Sequence, residues 1–423
     1  MKPTFFQFGS KALKMVSFLS LGISMSASAQ PMNGFCEKKF TVPKIDIKQK
    51  KAPAFFKIKT GTFCTTPVTS LNGNLITGCD DGLIRIISNA GVLLKSLKIE
   101  HRPDAGFASN PEIVAIPNTS PEQYVVTSMV DRILIRFDST GKVLAKIKFE
   151  ADLGKPIIVN GTSYFVADGD GVGHLFVNHQ EVTTYDTKSS YLNDPVVRTN
   201  LQGETQIVIS DSMGNLFVLN STGEVKTIKL TKEMLLNATI SPDGKVWVSD
   251  YNGIMYVVDL DTLAVKSIKT AAQVGFANPV FLKNGKIAFG SGDYVYIFNQ
   301  DQLDQPVAIF DTSFNRKDFH DDKVNFMLGS VIKNSDFTTV TVDGNEYIWI
   351  PTYGGYHLIN DSGAVVGYFS YGAGNGDAET YSAPVQLKDG SYVIGTYYGI
   401  DRVSIRKNAS GATMTSKAWA LSE

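Results

Sequence analysis

Cysteine and tryptophan are scarce in this sequence, which has only three of each in 423 residues. Three cysteines are too few to build a disulfide scaffold of the kind that supports small secreted domains. An excess of one charge is also lacking, because 40 Lys and Arg stand against 41 Asp and Glu. This balance excludes a general basic surface for nucleic acid, and 11% aromatic residues are too many for a disordered chain. We therefore expect a large globular domain or a repeat array.

Long hydrophobic runs are missing, apart from one short stretch near the N-terminus. Lys2, Lys11 and Lys14 precede an apolar run over residues 15–25, and Ala27-Ser28-Ala29 follows it. A basic start, a short apolar core and small residues at the end are typical of a secretory signal peptide. We predict that residues 1–29 are this signal peptide, with a non-cleaved anchor as the alternative. The product would be soluble, periplasmic or secreted, with no membrane span after cleavage.

Export permits disulfides, so the three cysteines need separate consideration. The chain contains an odd number of cysteines, Cys36, Cys64 and Cys79, so at least one of them has no disulfide partner in its own chain. Three interpretations stay open. Cys64 and Cys79 flank a predicted hairpin and form one candidate pair, Cys36 bonded to Cys64 would clamp the N-terminal tail, and all three thiols would otherwise be reduced.

A short segment built around proline recurs along the chain. Proline suits the first position of a strand, where no ladder N–H is required. Six copies contain it: Thr66-Pro67-Val68, Asn110-Pro111-Glu112, Lys155-Pro156-Ile157, Asp194-Pro195-Val196, Asn278-Pro279-Val280 and Ala383-Pro384-Val385. Two further copies lack proline and fill the gaps, Asn237-Ala238-Thr239 and Gly329-Ser330-Val331.

Each opening segment is followed by a regular succession of strands and turns. In one unit a second strand ends at Ile207-Val208-Ile209-Ser210, a turn contains Gly214, a third strand covers residues 216–219, and a second turn contains Gly223. Helical periodicity is absent. Eight such units of roughly 45 residues predict an all-β fold, a β-propeller with eight four-stranded antiparallel blades over residues 64–423. Seven blades are the alternative, and residues 30–63 form an N-terminal tail in which residues 55–59 would close the ring.

The succession of proline, strand, Asp-x-x-Gly turn, strand and Ser/Asn-x-Gly turn resembles the pyrroloquinoline-quinone (PQQ) type of propeller repeat. The stretches 78–91 and 210–223 carry the resemblance best. The same repeat occurs in quinoprotein alcohol dehydrogenases and in the propeller lipoprotein that assists outer-membrane protein assembly, so the resemblance implies a propeller and a role among envelope proteins. The tryptophan that usually follows the Thr-Gly turn is absent, and blade docking is expected to use aliphatic side chains. Vicinal cysteines and a Cys-x-x-Cys-His haem sequence are absent as well, so we expect no PQQ and no other cofactor.

Aromatic residues concentrate on predicted turns and connectors of blades five, seven and eight. Tyrosines on one face supply large amphipathic contact area for a peptide or a sugar. The alternative is that they cap strand ends against neighbouring blades. The predicted binding residues are Tyr251, Tyr353, Tyr356, Tyr371, Tyr397, Tyr398 and His320.

Catalytic and metal motifs are few. The stretch 168–174, with Asp168 and Asp170, resembles a fragment of a calcium loop but lacks the later acidic ligands, so a glycine-rich hairpin is the favoured interpretation and calcium the alternative. We therefore favour an exported binding module for an envelope or extracellular protein or peptide, with no nucleic acid as partner and with a glycan as a second candidate. The alternative is a hydrolase or lyase over the central channel, which requires Asp170, His320 and Tyr397 to converge.

Overall fold

The computed structural model describes residues 65–98 except 80, 90 and 91; 111–269 except 130; 277–312; 337–370 except 343, 353 and 354; 383–396 except 389; 399–408; and 411–418. The predicted signal peptide and the predicted N-terminal tail lie outside these residues. Among the described residues every element is a β-strand, and no helix is long and apolar enough to cross a membrane.

The strands form eight sheets of four antiparallel strands, each a meander in chain order. Blades one to four contain β1 (Val68–Thr69), β2 (Leu75–Gly78), β3 (Leu83–Ile87), β4 (Leu93–Lys98); β5 (Pro111–Ile116), β6 (Gln123–Ser128), β7 (Ile133–Asp138), β8 (Val143–Lys148); β9 (Ile157–Asn160), β10 (Ser163–Ala167), β11 (Val172–Val177), β12 (Gln180–Asp186); β13 (Val196–Thr199), β14 (Thr205–Ser210), β15 (Asn215–Asn220) and β16 (Val225–Lys229). Blades five to eight contain β17 (Leu235–Ile240), β18 (Val246–Asp250), β19 (Ile254–Asp259), β20 (Ala264–Lys269); β21 (Val280–Phe281), β22 (Lys286–Ser291), β23 (Tyr294–Asn299), β24 (Ala308–Asp311); β25 (Thr338–Val342), β26 (Asn345–Thr352), β27 (Gly355–Ile359), β28 (Val365–Ser370); β29 (Val385–Gln386), β30 (Tyr392–Thr396), β31 (Gly399–Asn408) and β32 (Gly411–Ala418). The fold is an eight-bladed β-propeller, as predicted.

The two faces of the ring differ in the segments they carry. First strands of successive blades contact one another, for example β9 with β13 and β13 with β17, so they surround the axis. Each first strand starts beside the end of its second strand, as the Thr65 N–H to Gly78 O bond of 2.9 Å and the Gly154 N–H to Ala167 O bond of 2.8 Å indicate. The turns between second and third strands and the connectors between blades therefore share one face, here called the connector face. The other two turns of each blade form the hairpin face.

Burial follows the position of each strand in its blade. The second strands β10 and β18 are buried along their whole length, whereas the fourth strand β4 is mostly exposed and carries Lys95 and Lys98. A middle strand is covered on both faces by neighbouring blades, which explains its continuous apolar sequence. Lysines on an outer edge strand oppose pairing with another chain.

The described residues of the hydrophobic core form eight clusters, one at each interface between blades. Within β14, Ile207 and Ile209 pack against blade three, while Val208 packs against blade five. Side chains of successive strand residues point to opposite faces, so one strand contributes to two interfaces. Most of the packing is aliphatic, as expected, although Trp247 and Trp349 are buried at the interfaces of blades five and six and of blades seven and eight.

The ring closes through contacts between blades eight and one. Leu75 of blade one packs with Leu387 and Val393 of blade eight. On the hairpin face, Lys388 Nζ donates a hydrogen bond of 3.2 Å to Leu71 O. The four described strands of blade eight all come from the C-terminal part of the chain. The predicted closing strand over residues 55–59 lies outside the described residues.

Cys79 occupies the first position of the turn between the second and third strands of blade one, where blades three, four and five have aspartate. It is completely buried and disulfide-bonded. The interpretation with three reduced thiols is therefore wrong. Cys36 and Cys64 lie outside the described residues.

The opening of blade seven differs from the prediction. The sequence indicated a first strand near Ser330, but the strand that pairs with β26 is Thr338–Val342, with Val340 opposite Tyr347. Phe337, Val340 and Val342 are buried, so the alternation that specifies this strand begins after the expected segment. Residues 329–331 lie outside the described part of the chain.

Candidate functional site

The position just before the repeated proline lies at the mouth of the central channel on the connector face. Blades three to six place Lys155, Asp194, Asn237 and Asn278 there, around a cavity of about 420 Å³. Its deeper wall is apolar and comes from the first strands, for example Val196 and other aliphatic residues of β9, β13 and β17. A cavity of this size with a few convergent polar groups is typical of a ligand site. The sequence repeat thus produces a polar rim above an apolar floor.

The rim is held in place by hydrogen bonds between blades four and five. Asn237 Nδ2 donates to Asp194 Oδ2, and the Asp194 N–H donates to Asn237 Oδ1, both at 3.1 Å. Asn193 Nδ2 donates to Leu235 O at 2.9 Å and to Ser210 Oγ at 3.0 Å. These reciprocal bonds restrict the side-chain rotamers, so little entropy would be lost when a ligand binds.

Repeated aspartates stabilise the turns beside this rim. Asp168 Oδ1 accepts the N–H groups of Asp170 at 3.0 Å and Val172 at 2.8 Å, and Asp211 and Asp250 accept the same pair of bonds in blades four and five. All three aspartates are buried. The Asp-x-x-Gly signal therefore reports a side-chain cap of a tight turn. In blade three this turn is the stretch that resembles a calcium loop, and none of the described residues forms a group of three metal ligands.

The glycine of this turn is required because a connector passes directly over it. Gly171 has φ +84°, and a Cβ there would lie 2.0 Å from Ser189 O. Gly214 has φ +86°, with Thr231 O at 2.2 Å from the same position. The connectors of blades three and four are thereby placed against the turns, which positions the residues that follow Ser189.

A histidine links the blade-three turn to the outer strand. His174 Nδ1 lies 2.7 Å from Glu181 Oε1, and His174 Nε2 lies 3.3 Å from Asp168 Oδ2. The ring of Phe149 packs edge-on against the imidazole at 4.9 Å. Burial alone would lower the pKa of His174, but the hydrogen bonds to the carboxylates of Asp168 and Glu181 outweigh it, and the pKa is raised. The imidazole and its two carboxylates thus tie the blade-three turn to the outer strand.

Two exposed residues beside the channel mouth supply apolar contact area. Tyr191, in the connector after blade three, is 43% exposed, and Met213, in the next turn of blade four, is 53% exposed. The Ser212 N–H donates to Tyr191 O at 3.3 Å, which holds the two segments together. Surrounding protein and the carboxylates of Asp194 and Asp152 raise the pKa of the Tyr191 hydroxyl. The phenol therefore stays protonated as a hydrogen-bond donor.

The predicted tyrosines occupy different environments. Tyr251 lies in the turn of blade five on the connector face, and burial raises the pKa of its hydroxyl. Tyr356 is completely buried in β27 and stacks on Trp349 at 4.2 Å, so it packs the interface of blades seven and eight. The remaining predicted binding residues lie outside the described residues: Tyr353, Tyr371, Tyr397, Tyr398 and His320.

Sequence reasoning missed Tyr191 and Met213. The criterion that selected Tyr251, a large side chain on a turn or connector of one face, applies to both of them. Their exposure depends on the path of the connector over Gly171 and Gly214, which local sequence does not reveal. The convergence predicted for an enzyme, of Asp170 with His320 and Tyr397, stays a prediction because only Asp170 is described.

Comparisons with known proteins address the fold. No protein-family model and no curated protein matches the sequence. Similar solved structures include the computationally designed Ika8 protein, with 14% identity, TM-score 0.59 and coverage of 81% of this chain and 96% of that one. BamB from Moraxella catarrhalis has 12% identity, TM-score 0.56 and coverage of 80% and 95%, and the Dos1 propeller has 10% identity, TM-score 0.59 and coverage of 81% and 92%. At these identities the likeness establishes the β-propeller fold, on which many unrelated functions occur.

Proposed function

We propose that this chain is an exported β-propeller of the PQQ-like repeat class that binds a protein or peptide of the cell envelope. The partner would dock on the connector face over blades three to five. The main support for this proposal is the exposed pair Tyr191 and Met213 close to the 420 Å³ cavity. Hydrogen bonds already order the polar rim of that cavity. Aromatic and methionine side chains at the centre of an interface contribute most of its binding energy.

The chemistry of the rim favours a polypeptide ligand. Lys155 and Asp194 carry opposite charges, and Asn237 and Asn278 each offer an amide donor and acceptor. Main-chain amides and short polar side chains complement such a mixed set, while the apolar floor accepts one aliphatic or aromatic side chain. Tyr251 extends the same face toward blade five.

Separate observations support the export of the protein and its assignment to the PQQ-like repeat class. The basic, apolar and small-residue segments over residues 1–29 are typical of a signal peptide, and the bonded Cys79 suits an oxidising compartment. The turn aspartates and glycines repeat as they do in PQQ-like blades. Because the vicinal cysteines and haem sequence of the quinoprotein enzymes are absent, we propose binding without PQQ.

The test is crosslinked capture of partners by the tagged mature protein in its native envelope, read by mass spectrometry. A variant with Tyr191→Ala and Met213→Ala removes the apolar pair. The matched control is Leu71→Ala with Leu201→Ala, which removes two apolar residues from turns of the hairpin face that are more exposed still, at 76% and 82%.

The proposal expects a partner whose affinity falls at least about tenfold in the connector-face variant, since each interface anchor contributes roughly 1–2 kcal/mol. The control variant should retain that partner. A triple variant of Tyr353, Tyr397 and Tyr398 to Ala tests whether the predicted aromatic sector extends the site. Equal capture by the connector-face variant and the wild type would refute the proposed docking face.

A further inference from the structure

The interface of blades two and three has a charged side chain where the repeat has an apolar one. Arg136 in β7 pairs with Val125 of β6 and lies on the same side of its strand as Leu134, both of which pack toward blade three. In blades one and three to seven the equivalent third-strand position is a buried apolar residue that packs against the next blade: Ile86, Leu175, Val218, Val257, Ile297 and Leu358. A departure from an otherwise regular pattern is typical of a functional position.

The guanidinium of Arg136 has no acid to balance it. Its cross-strand neighbours are Val125 in β6 and Ala145 in β8. Among the described residues Arg136 forms no ion pair, and its Nε is buried without a hydrogen-bond partner. The carboxylate on the same side of β7 belongs to Asp138, whose Oδ1 accepts the Lys142 N–H at 3.0 Å within its own turn. A partly buried positive charge at this interface is thus left without a counter-ion, although such charges are normally paired.

Blade three contributes an imidazole and a phenol to the same place. His179 lies in the turn between β11 and β12 with φ +70°, and its ring centroid is 6.1 Å from that of Tyr164. His179 Nδ1 is buried and has no hydrogen-bond partner in the described part of the chain. Burial and the nearby charge of Arg136 lower the pKa of His179, and burial raises the pKa of Tyr164 to about 12. Both rings are therefore uncharged near neutral pH, and the charge of these three groups is that of Arg136.

A third polar group without a partner comes from blade two. Gln123 in β6 pairs with Ile116 of β5, which packs at the same interface. Its Oε1 is buried and accepts no hydrogen bond from any described residue. Gln123, Arg136 and His179, here called the arginine cluster, are all half-buried and lie toward the hairpin face. Buried polar atoms are nearly always hydrogen-bonded, so three exceptions at one interface indicate a site that a ligand completes.

The three atoms specify the chemistry of that ligand. Arg136 Nε requires an acceptor, Gln123 Oε1 requires a donor, and the neutral imidazole of His179 donates or accepts at Nδ1 according to its tautomer. One positive charge balances a monoanion, which favours a carboxylate over the nearly doubly charged phosphate. A carboxylate with a neighbouring hydroxyl supplies the charge, the acceptor and the donor together. We propose that the arginine cluster binds a hydroxycarboxylate.

The repeat supplies variants that preserve the fold. Arg136→Leu introduces the apolar side chain that other blades have at this position, so the thermal midpoint should stay or rise when the unpaired charge is removed. His179→Gly removes the imidazole and leaves a residue that tolerates φ +70°. The matched control is Lys148→Gln, which removes an exposed positive charge from the same blade at the end of β8 on the connector face.

The experiment is saturation-transfer NMR and calorimetric titration of the mature full-length protein with L-lactate and with trigalacturonate. The first is a free hydroxy acid, and the second carries the same chemistry in an acidic glycan. Propionate, which lacks the hydroxyl, and inorganic phosphate are the comparison ligands. We expect at least one hydroxycarboxylate to bind, and tighter binding of lactate or of trigalacturonate identifies the free acid or the glycan as the source. Propionate should bind about fivefold or more weakly than lactate, because one hydrogen bond is lost.

The variants test whether binding occurs at the arginine cluster. The dissociation constant should rise about tenfold or more in Arg136→Leu, which loses a charged donor, and about threefold or more in His179→Gly. It should stay unchanged in Lys148→Gln. The connector-face variant of Tyr191 and Met213 should also bind normally, which separates this test from that of the proposed function.

Several outcomes would overturn the proposal. These are no binding of either hydroxycarboxylate at millimolar concentration, equal or tighter binding of propionate or phosphate, and equal binding by Arg136→Leu and the wild type. A marked fall in the thermal midpoint of Arg136→Leu would also overturn it, because the guanidinium would then serve the packing of blades two and three.

Discussion

The ion pair between blades four and five provides the sharpest test of how the ring is held together. Arg198 on the first strand β13 has a side chain only 2% exposed, and its Nη2 donates to Asp261 Oδ2 at 2.7 Å. Asp261 lies in the last turn of blade five and is 25% exposed. Among the described residues, Arg198 Nε and Nη1 have no hydrogen-bond partner. The guanidinium therefore depends on one carboxylate.

The two single substitutions should have unequal effects. Asp261→Ala leaves a buried guanidinium without its counter-charge, which typically costs about 3–5 kcal/mol in the free energy of unfolding. Arg198→Met removes the buried charge and keeps most of the packed stem, while water still solvates the partly exposed Asp261. We expect this change to cost about 1–2 kcal/mol or less, since an apolar residue of similar volume often replaces a buried charge without loss.

The assay is a double-mutant cycle by calorimetry or urea unfolding, monitored with two probes so that departures from a two-state transition are detected. The double variant should be close to Arg198→Met alone, because Asp261→Ala matters only while the guanidinium is present. A larger loss for Arg198→Met than for Asp261→Ala would refute this reasoning. It would mean that the stem packing of Arg198, and not its charge, holds the two blades together.

The remaining predictions concern one turn and two histidines. Gly171→Ala should lower the free energy of unfolding in urea by about 2–5 kcal/mol. Alanine is strained in the left-handed conformation, and its Cβ would collide with Ser189 O. His174 has a raised pKa, so its stabilisation is fully present below the unfolded value of about 6.5 and is lost as pH rises through the folded value. His357 is completely buried, and its pKa is lowered to about 3. Its effect on the pH dependence of stability is opposite to that of His174, because stability falls as pH drops below about 6.5 toward that value.

Each of these has a matched control. Gly203→Ala, at φ +82° with no atom within 4 Å of a Cβ, should cost only the backbone term of about 1–2 kcal/mol. His174→Gln should flatten the alkaline side of the curve of thermal midpoint against pH, and His357→Leu the acid side. Equal losses for the two glycine variants, or pH curves that keep their shape in the histidine variants, would contradict the structural assignments.

Much of the propeller is predictable because its signals are local. The predicted second strand that ends at residues 207–210 lies within β14, and the predicted third strand over residues 216–219 lies within β15. A strand buried between two blades is apolar at most positions and is followed by a tight turn, which an aspartate caps in blades three, four and five. Eight copies of that pattern then determine the number of blades, since a blade that lacks a neighbour leaves an apolar face uncovered. Blade seven was misplaced at its opening because no proline marks its first strand there.

The candidate site was less predictable because it depends on which segments meet. Tyr251 and Tyr356 both follow strands in sequence, yet one lies on the connector face and the other is buried against Trp349. Tyr191 lies in a connector without a motif, and Met213 is the variable position of an Asp-x-x-Gly turn, so neither was selected. Their placement comes from connectors that cross close above turn glycines.

The sequence by itself determined the repeat, the strands and the turn chemistry, because these depend on residues within about ten positions of one another. Tertiary structure alone decided that Lys155, Asp194, Asn237 and Asn278 share one rim, and that Asn284 of blade six donates a hydrogen bond to Asp361 of blade seven. Each of these groups comes from a different blade or turn, distant along the chain. Only closure of the ring around its axis brings them within contact distance. The rotation between neighbouring blades cannot be predicted from a local sequence pattern.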